Sequence, residues 1–556
     1  MKQKIIDLLA KHLKGKLKKG EIENLVEIPP NDEMGDYAFP CFALAKIEKK
    51  SPLLIAEELK KKLKLPKEIS NTSAVAGYVN FFVDKSLLAE RVLKVAGKSG
   101  YGKKKIKLTG MIEFSQPNTH KAFHVGHIRG TSIGESLARI AEFFGEKVIR
   151  ANYSGDTGMH IAKWIWCYKK YHAKEKLRGD ESWIAGIYVD AIKRLKEDEE
   201  LKEEAEEINR KLDSKEDKNL NELWKKTRKL SIDSWKEIYK QLGTHFDKHY
   251  FESEVETKGK EIAKDLVRKK FAEISDGATI INLEKYGLSV WVLLRKDGTV
   301  LYSAKDLALA QKKFKDYKLD WCVYVHGSEQ NLHFNQLFKV LGMIGFEKHK
   351  DLHHVGFDLV RLPHGKMSSR TGDNILYSDF IKEITDYAKK EISKRFKLSK
   401  KELEKRALAI SMAAIKYSML KQGINKSIIF NKEEAMSFEG DTGPYLLYSY
   451  ARASSILRKV KSNKKVKIVD LKKQEIALLK KIAVFPQVVE KAYEDFAPNL
   501  IANYCYELAS LFNEFYHNCP VLGSDEEGFR LKLVDCFRSV MKTSLVLLGI
   551  DVVEEM

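Results

Sequence analysis

Residues 108–155 read in the order strand, loop, helix, strand, and that order leaves few folds open. Met111-Ile112-Glu113-Phe114 is a short apolar strand. Ile133, Leu137, Ile140, Ala141 and Phe144 recur on one helical face, Gly145 ends the helix, and Val148-Ile149 opens a second strand. Such a crossover argues for a parallel sheet flanked by helices. The turn into the helix carries His124-Val125-Gly126-His127. A helix start attracts anions, because its first N–H groups are free and its dipole end is positive. Gly126 lets a ligand approach the backbone, and imidazoles beside it can donate to phosphate oxygens. Alone, HxGH also fits two metal ligands or two ordinary surface residues.

A second donor cluster, Lys366-Met367-Ser368-Ser369-Arg370, lies in a loop between Pro363-His364-Gly365 and Thr371-Gly372. A lysine on a mobile loop can neutralise a departing pyrophosphate. Without the histidines, a basic surface turn would be the better reading. Together the clusters suggest a nucleotide triphosphate held from two sides.

At 556 residues the chain is too long for one core and predicts three or four domains. No run of 18 apolar residues is present, so no membrane span is expected, and the Lys-rich first twenty residues lack a signal-peptide core. Six scattered cysteines without a CxxC pair fit a reducing cytosol better than a disulfide framework or a zinc site. No His/Cys/carboxylate spacing predicts a protein-held metal. Lys and Arg number 99 against 78 Asp and Glu, a net charge of +21. That excess favours a polyanionic partner, although general solubility explains it equally well.

The expected organisation is a multidomain α/β chain. Residues 1–105 form an α+β module, with a strand over 74–83 and a linker at Ser99-Gly100-Tyr101-Gly102-Lys103. Residues 106–380 form a Rossmann-type parallel-sheet domain, interrupted by a charged helical insertion over about 165–275. Strands are expected at 278–283, 289–295, 321–325 and 355–359. A helical stem spans 381–430, and 431–556 is an all-α bundle.

The motifs resemble those of a known family. His124-Val125-Gly126-His127 is similar to the HIGH motif of class I aminoacyl-tRNA synthetases, and Lys366-Met367-Ser368-Ser369 to their KMSKS loop. The surrounding segments resemble the arginyl enzymes. These are Glu113 through Asn118, Ile128-Arg129-Gly130, Gly134 through Arg139, Gly327 through Phe334, and Asp441 through Tyr448. The similarity runs from about Gly35-Asp36-Tyr37-Ala38 to Met556. It implies L-arginine, ATP with Mg²⁺ and tRNA(Arg) as substrates, with AMP and pyrophosphate released. It also implies a family-specific N-terminal domain, a helical anticodon-binding domain, and tRNA needed before amino-acid activation. A cytoplasmic monomer is expected.

By that resemblance, His124, His127 and Lys366 stabilise charge, and Gly126, Gly327, Glu329, Met367 and Ser369 complete the ATP site. Glu113, Asn118, Tyr302, Asp306 and Gln330 hold arginine. Tyr302 and Asp306, four apart, share a face if helical, and a carboxylate suits a guanidinium. Without the family context Asp306 would read as a helix N-cap. Tyr78 and Asn80, two apart on a strand, suit stacking and base-edge contact with the D-loop, or Tyr78 belongs to the core. Tyr448 and Arg452, beside Tyr445, Tyr450 and Arg458, suit an anticodon loop, as does the terminal Met556. The helix of Tyr504 and Leu508 offers a possible second face. Thr157 and His160 stand where the family usually carries Trp and Gln. Rival readings are a lysyl or glutaminyl type of class I synthetase, a small-molecule nucleotidyltransferase, and an inactive tRNA-binding paralogue.

Overall fold

The computed structural model describes residues 1–361, 376–394, 396–460 and 465–556. Contacts divide the chain into two compact units. One comprises Met1–Ser99, Leu457–Val484 and Leu511–Ser539; the other comprises Gly100–Ile456, Phe485–Ser510 and Val540–Met556. The N-terminal residues thus fall in one unit with C-terminal helical segments. Asp36 bonds Val83 N–H at 2.7 Å, and Lys480 reaches the same carboxylate at 2.7 Å.

That unit holds a three-stranded antiparallel sheet ordered Tyr37–Pro40, Tyr78–Val83, Ile69–Val75. The single strand expected over 74–83 is instead a hairpin. Ala76 and Gly77 both have positive φ, at 51° and 83°, which turns the chain within two residues.

The larger unit is built on five parallel strands in the order Leu352–Phe357, Trp321–Gly327, Thr109–Glu113, Lys147–Ser154, Lys248–Phe251. The chain starts in the middle, moves to one side, and then crosses back. The direction of winding therefore reverses between Thr109–Glu113 and Trp321–Gly327. Open parallel sheets bind ligands at such a switch point, beyond the carboxyl ends of the strands. The four-residue edge strand Lys248–Phe251 lies inside the stretch expected to be an insertion.

The helix Val125–Phe143 follows the first strand and packs unusually close to the sheet. A Cβ on Gly130 would stand 2.9 Å from the Phe357 ring, and one on Gly134 would stand 2.2 Å from Phe114. Glycine every fourth residue gives this face its close approach. The next residue, Glu135, is buried and structural. Arg150 at 2.9 Å, Arg139 at 2.6 Å and Thr244 at 2.7 Å all donate to it.

Strands expected at 278–283 and 289–295 do not join the parallel sheet. Glu273–Ser275, Ala278–Ile281 and Trp291–Leu294 form a separate antiparallel sheet. Asp276-Gly277, with φ of 47° and 79°, closes its first hairpin.

Between the second and third parallel strands come helices Met159–Cys167, Glu181–Glu197, Glu200–Ser214 and Lys218–Gln241. Despite their surface charge they enclose a core of Ile161, Trp164, Ile165, Ile187, Leu195 and Leu220. The last of them returns to the sheet, where the Tyr239 hydroxyl accepts from Asn152 at 2.9 Å and meets Ser115 at 3.0 Å.

Candidate active site

The loop after the first strand holds three non-glycine residues at positive φ: Ser115 at 80°, Gln116 at 47° and His120 at 62°. Strain of this kind, about 1–3 kcal/mol per residue, persists only where surrounding structure imposes it, and it clusters at functional sites. Here buried contacts impose it. His120 Nε2 meets Thr227 at 2.7 Å, and Thr119 Oγ1 donates to Gly155 at 3.2 Å.

The loop delivers His124 to the N-cap of the helix. The backbone N–H of His124 donates to His127 Nδ1 at 3.0 Å, and the two rings lie 3.9 Å apart. Because Nδ1 accepts, a neutral His127 carries its proton on Nε2. His124 Nδ1 is buried with no hydrogen-bond partner. A Cβ on Gly126 would sit 3.0 Å from that ring, so glycine leaves it room. Burial, then Lys121 nearby, lowers the His124 imidazole to about 4. Burial, then His124, depresses His127 as well. Both rings are thus neutral donors at pH 7.

This has a consequence for stability. In the unfolded chain an imidazole takes up its proton near pH 6.5, whereas folded His124 resists protonation until about pH 4. The unfolded state binds more protons in that window, so stability is full above it and falls as pH drops through it. Thermal unfolding at stepped pH should show this loss, and His124→Gln should make the decline shallower.

Lys366, Met367, Ser368, Ser369 and Arg370 lie outside the described residues. The flanks on either side are described. Arg361 ends a strand paired with Ile428–Ile429, while Leu376 bridges His124 and Tyr377 N–H donates to Phe123 O at 3.0 Å. Leu376 and Tyr377 are therefore tied to the HxGH turn.

Across the switch point, the helix Tyr302–Asp316 begins at Tyr302, which is 56% exposed. Asp306 lies one turn further on. It accepts from His333 Nε2 at 2.7 Å, while His333 Nδ1 accepts from Trp291 at 3.4 Å. The Tyr302 ring packs edge-on to His333 at 4.7 Å. Asp306 is inside the helix rather than its N-cap, and its Oδ1 has no protein donor among the described residues.

Glu113, at the end of the first strand, is 1% exposed. Lys313 reaches it at 2.6 Å and His326 donates to it at 3.1 Å. Burial pushes its carboxyl up, but Lys313 and His326 outweigh this and hold it below the ordinary value. Lys313 is itself 0% exposed. Lys313→Met should therefore cost about 3–5 kcal/mol, because it leaves a buried carboxylate with His326 as its one remaining charge partner among the described residues; urea unfolding would measure this.

Asn118 accepts from the Gly155 N–H at 3.2 Å, and a Cβ on Gly155 would collide with it at 2.5 Å. Gly327 ends the fourth strand in chain order, followed by Glu329, exposed, and Gln330, half-buried.

Three residues of the site were not singled out from sequence. His333 orients Asp306, and His326 caps Glu113. Tyr153, on the second strand, has a buried hydroxyl without a partner. Burial, followed by the charges of Asp306, Glu252, Glu113 and Asp156, drives its phenol well above the usual value. Of these acids, Glu113, Glu252 and Asp156 are paired with Lys313, Lys305 and Arg228, whereas Asp306 has no Lys or Arg partner among the described residues. A weak signal existed for His326, which stands at the carboxyl end of a strand, whereas His333 lies on the helix that follows. His160 Nε2 is likewise buried and unpartnered, and burial lowers this imidazole to about 3. Asp156 is occupied structurally, by Arg228 at 2.6 Å and the Ser253 N–H at 2.9 Å.

The remaining expected residues fall into two groups. Asn80 is 5% exposed, and Tyr78 is half-buried with its ring 5.3 Å from Phe42. Arg452 donates to the Tyr448 hydroxyl at 2.9 Å and lies 4.6 Å over its ring. Tyr448 and Met556 line one cavity of about 240 Å³ with Phe396, Arg406 and Phe438. Tyr504 and Leu508 are core residues, at 2% and 0% exposed, so they present no second face.

A five-stranded parallel sheet, with HxGH opening the helix beside its switch point, is the catalytic architecture of a class I tRNA synthetase. The family model for the class I (R) catalytic domain matches residues 86–432. Those for the arginyl tRNA synthetase N terminal domain and the DALR anticodon binding domain match residues 2–83 and 446–556. The arginine–tRNA ligase of Clostridium beijerinckii is 38% identical over 574 residues, covering 100% of both chains. That of Clostridium perfringens is 36% identical, covering 96% of each. The structure of Thermus thermophilus arginyl-tRNA synthetase superposes with a TM-score of 0.85 at 27% identity, covering 100% of both. The chain belongs to the arginyl-tRNA synthetase family. No helix among its described residues is long and apolar enough to cross a membrane.

Proposed function

We propose that the protein activates L-arginine with ATP to arginyl-adenylate and transfers the arginyl group to the 3′ end of tRNA(Arg), releasing AMP and pyrophosphate. The observation that supports the reading is the Asp306 carboxylate, held by His333 at 2.7 Å through one oxygen, with no protein donor among the described residues on the other, beside the exposed Tyr302. A guanidinium is a planar fork of donors that pairs best with carboxylates. A glutamine pocket would gain nothing from this charge, which argues against the glutaminyl alternative.

In this reading Asp306 takes the guanidinium, with Tyr302 and Gln330 beside it. Glu113 contributes its charge from beneath through His326, and Asn118 takes the α-amino end. The arginine carboxylate attacks the α-phosphate in line, so catalysis is positioning plus charge stabilisation. Neutral His124 and His127 donate to the α-phosphate as charge develops. Gly126 and Gly327 allow close approach, and Glu329 meets the ribose. Lys366, Met367 and Ser369 close over the pyrophosphate, with Mg²⁺ arriving on ATP. Residues 106–380 do the chemistry, with the insertion over about 165–275. Residues 1–105 meet the D-loop through Tyr78 and Asn80, 381–430 connect, and 431–556 read the anticodon through Tyr448, Arg452 and Met556. The protein acts in the cytoplasm as a monomer.

Pyrophosphate exchange into ATP tests the first half-reaction. Exchange should require arginine and should rise sharply when tRNA(Arg) is added. Exchange driven equally by lysine or glutamine would overturn the pocket assignment.

A further inference from the structure

The insertion contains, among the described residues, one grouping of three metal-capable side chains from different chemical classes. Cys167 Sγ, His172 Nε2 and a carboxylate oxygen of Asp190 all lie within 4.8 Å of one another. We propose that this grouping is a binding site for a thiophilic divalent cation of the zinc class, which staples the helix Met159–Cys167 to the helix Glu181–Glu197.

Local backbone geometry creates the site. In an α-helix, residues five apart point about 140° away from each other. Here the chain widens into a π-turn over Tyr168–His172, immediately after Cys167. The wider turn swings His172 back over Cys167, and such turns recur at functional sites. Asp190 comes from the facing helix, one position before the core residue Ala191.

The sulfur–oxygen separation matches a tetrahedral ion, and the nitrogen–oxygen separation must widen by a few tenths of an ångström. Cys167 Sγ stands 3.4 Å from Asp190 Oδ2, and His172 Nε2 stands 3.0 Å from the same oxygen. Zinc bonds of about 2.3 Å to sulfur and about 2.0–2.2 Å to nitrogen and oxygen give ligand–ligand edges of about 3.3–3.6 Å. An ion can therefore be seated by small side-chain adjustments.

The surrounding shell is also suited to a metal. His172 Nδ1 meets Glu175 Oε1 at 2.6 Å, and Trp183 donates to the other Glu175 oxygen at 2.8 Å. A carboxylate bound to the far nitrogen of a ligating imidazole fixes the ring orientation, and Nε2, which faces Asp190 Oδ2 without an ion, would give up any proton there to bind one. Thiolate and carboxylate together balance a dication, with the imidazole neutral. Arg194 donates to Asp190 at 2.8 Å and stacks 3.8 Å over Tyr171. A metal-bound carboxylate keeps an acceptor lone pair for that donor. Lys170, on the same turn, is paired with Glu204 at 2.7 Å. The side chains of His172 and Asp190 are 23% and 26% exposed, which leaves a way in and a fourth position for water.

Without an ion, the Cys167 S–H donates to Asp190, and burial beside that carboxylate keeps the thiol inert at about 12. A dication reverses this by displacing the thiol proton, along with any proton on His172 Nε2. Cation affinity should therefore rise with pH.

The test is to strip the full-length protein with a chelator and titrate it with Co²⁺. The proposal expects a thiolate-to-cobalt charge-transfer band saturating at one ion per chain and displaced by Zn²⁺. Cys167→Ser should abolish the band. His172→Gln, which keeps a hydrogen-bonding side chain of similar size, should also abolish it. Glu175→Gln should weaken the affinity about 10- to 100-fold. Absence of the band in the unsubstituted protein, or its persistence in Cys167→Ser, would overturn the proposal.

Discussion

Asp306→Asn is expected to lower kcat/KM for arginine by roughly 30- to 5,000-fold, the equivalent of about 2–5 kcal/mol. The substitution keeps the side chain's shape and its contact with His333 but removes the negative charge that faces the pocket. A buried guanidinium is then left with an amide in place of a carboxylate, and much of the penalty is that uncompensated charge. The fall should appear mainly in KM for arginine, with KM for ATP nearly unchanged, because Asp306 lies across the switch point from the HxGH turn. Steady-state charging assays over an arginine series measure it. His333→Ala should reproduce part of the effect, since it releases Asp306 from its 2.7 Å anchor without removing its charge.

The second large effect is expected at the HxGH turn. His127→Ala should reduce kcat for adenylate formation by about 10²–10³, as for the loss of one preorganised donor to a developing oxyanion. KM for ATP should barely move, because the interaction strengthens only as charge builds on the α-phosphate. His127 is held by the His124 N–H at 3.0 Å, so its ring is oriented before substrate arrives. His127→Asn, which retains an N–H donor, should recover part of the rate. Single-turnover measurement of adenylate separates this step from tRNA transfer. Both imidazoles are depressed by burial, so the rate should not fall through their protonation between pH 7 and pH 6.

The catalytic frame was legible because its signals are local. The apolar face of 133–144 and the breaker Gly145 gave the crossover helix, whereas the close packing at Gly130 and Gly134 emerged only from the structure. Where the structure departs from expectation, the determinants are short or non-local. Lys248–Phe251 is a four-residue edge strand in a charged stretch, too brief to show periodicity. The 74–83 strand turned on Ala76-Gly77, a two-residue hairpin whose positive φ outweighed a continuous β pattern. The strands expected at 278–283 and 289–295 formed but pair antiparallel in a sheet of their own, a choice of partner that strand pattern does not encode.

The candidate site divides the same way. His124 could be named from its motif, and Asp306 and Tyr302 from the family resemblance, since spacing alone favoured an N-cap for Asp306. Tyr153, His326 and His333 could not, because their importance comes from the acids and rings that the fold gathers around them. Cys167 and His172, five apart, carry no metal-ligand spacing at all. Only a π-turn, invisible in a pattern of hydrophobic residues, puts them together.

The most direct test of the central claim is transfer of radiolabelled amino acids to total tRNA, each supplied singly with ATP and Mg²⁺. The account predicts charging with arginine alone, and its loss in Asp306→Ala. Charging with lysine or glutamine, or arginine charging that survives Asp306→Ala undiminished, would contradict it.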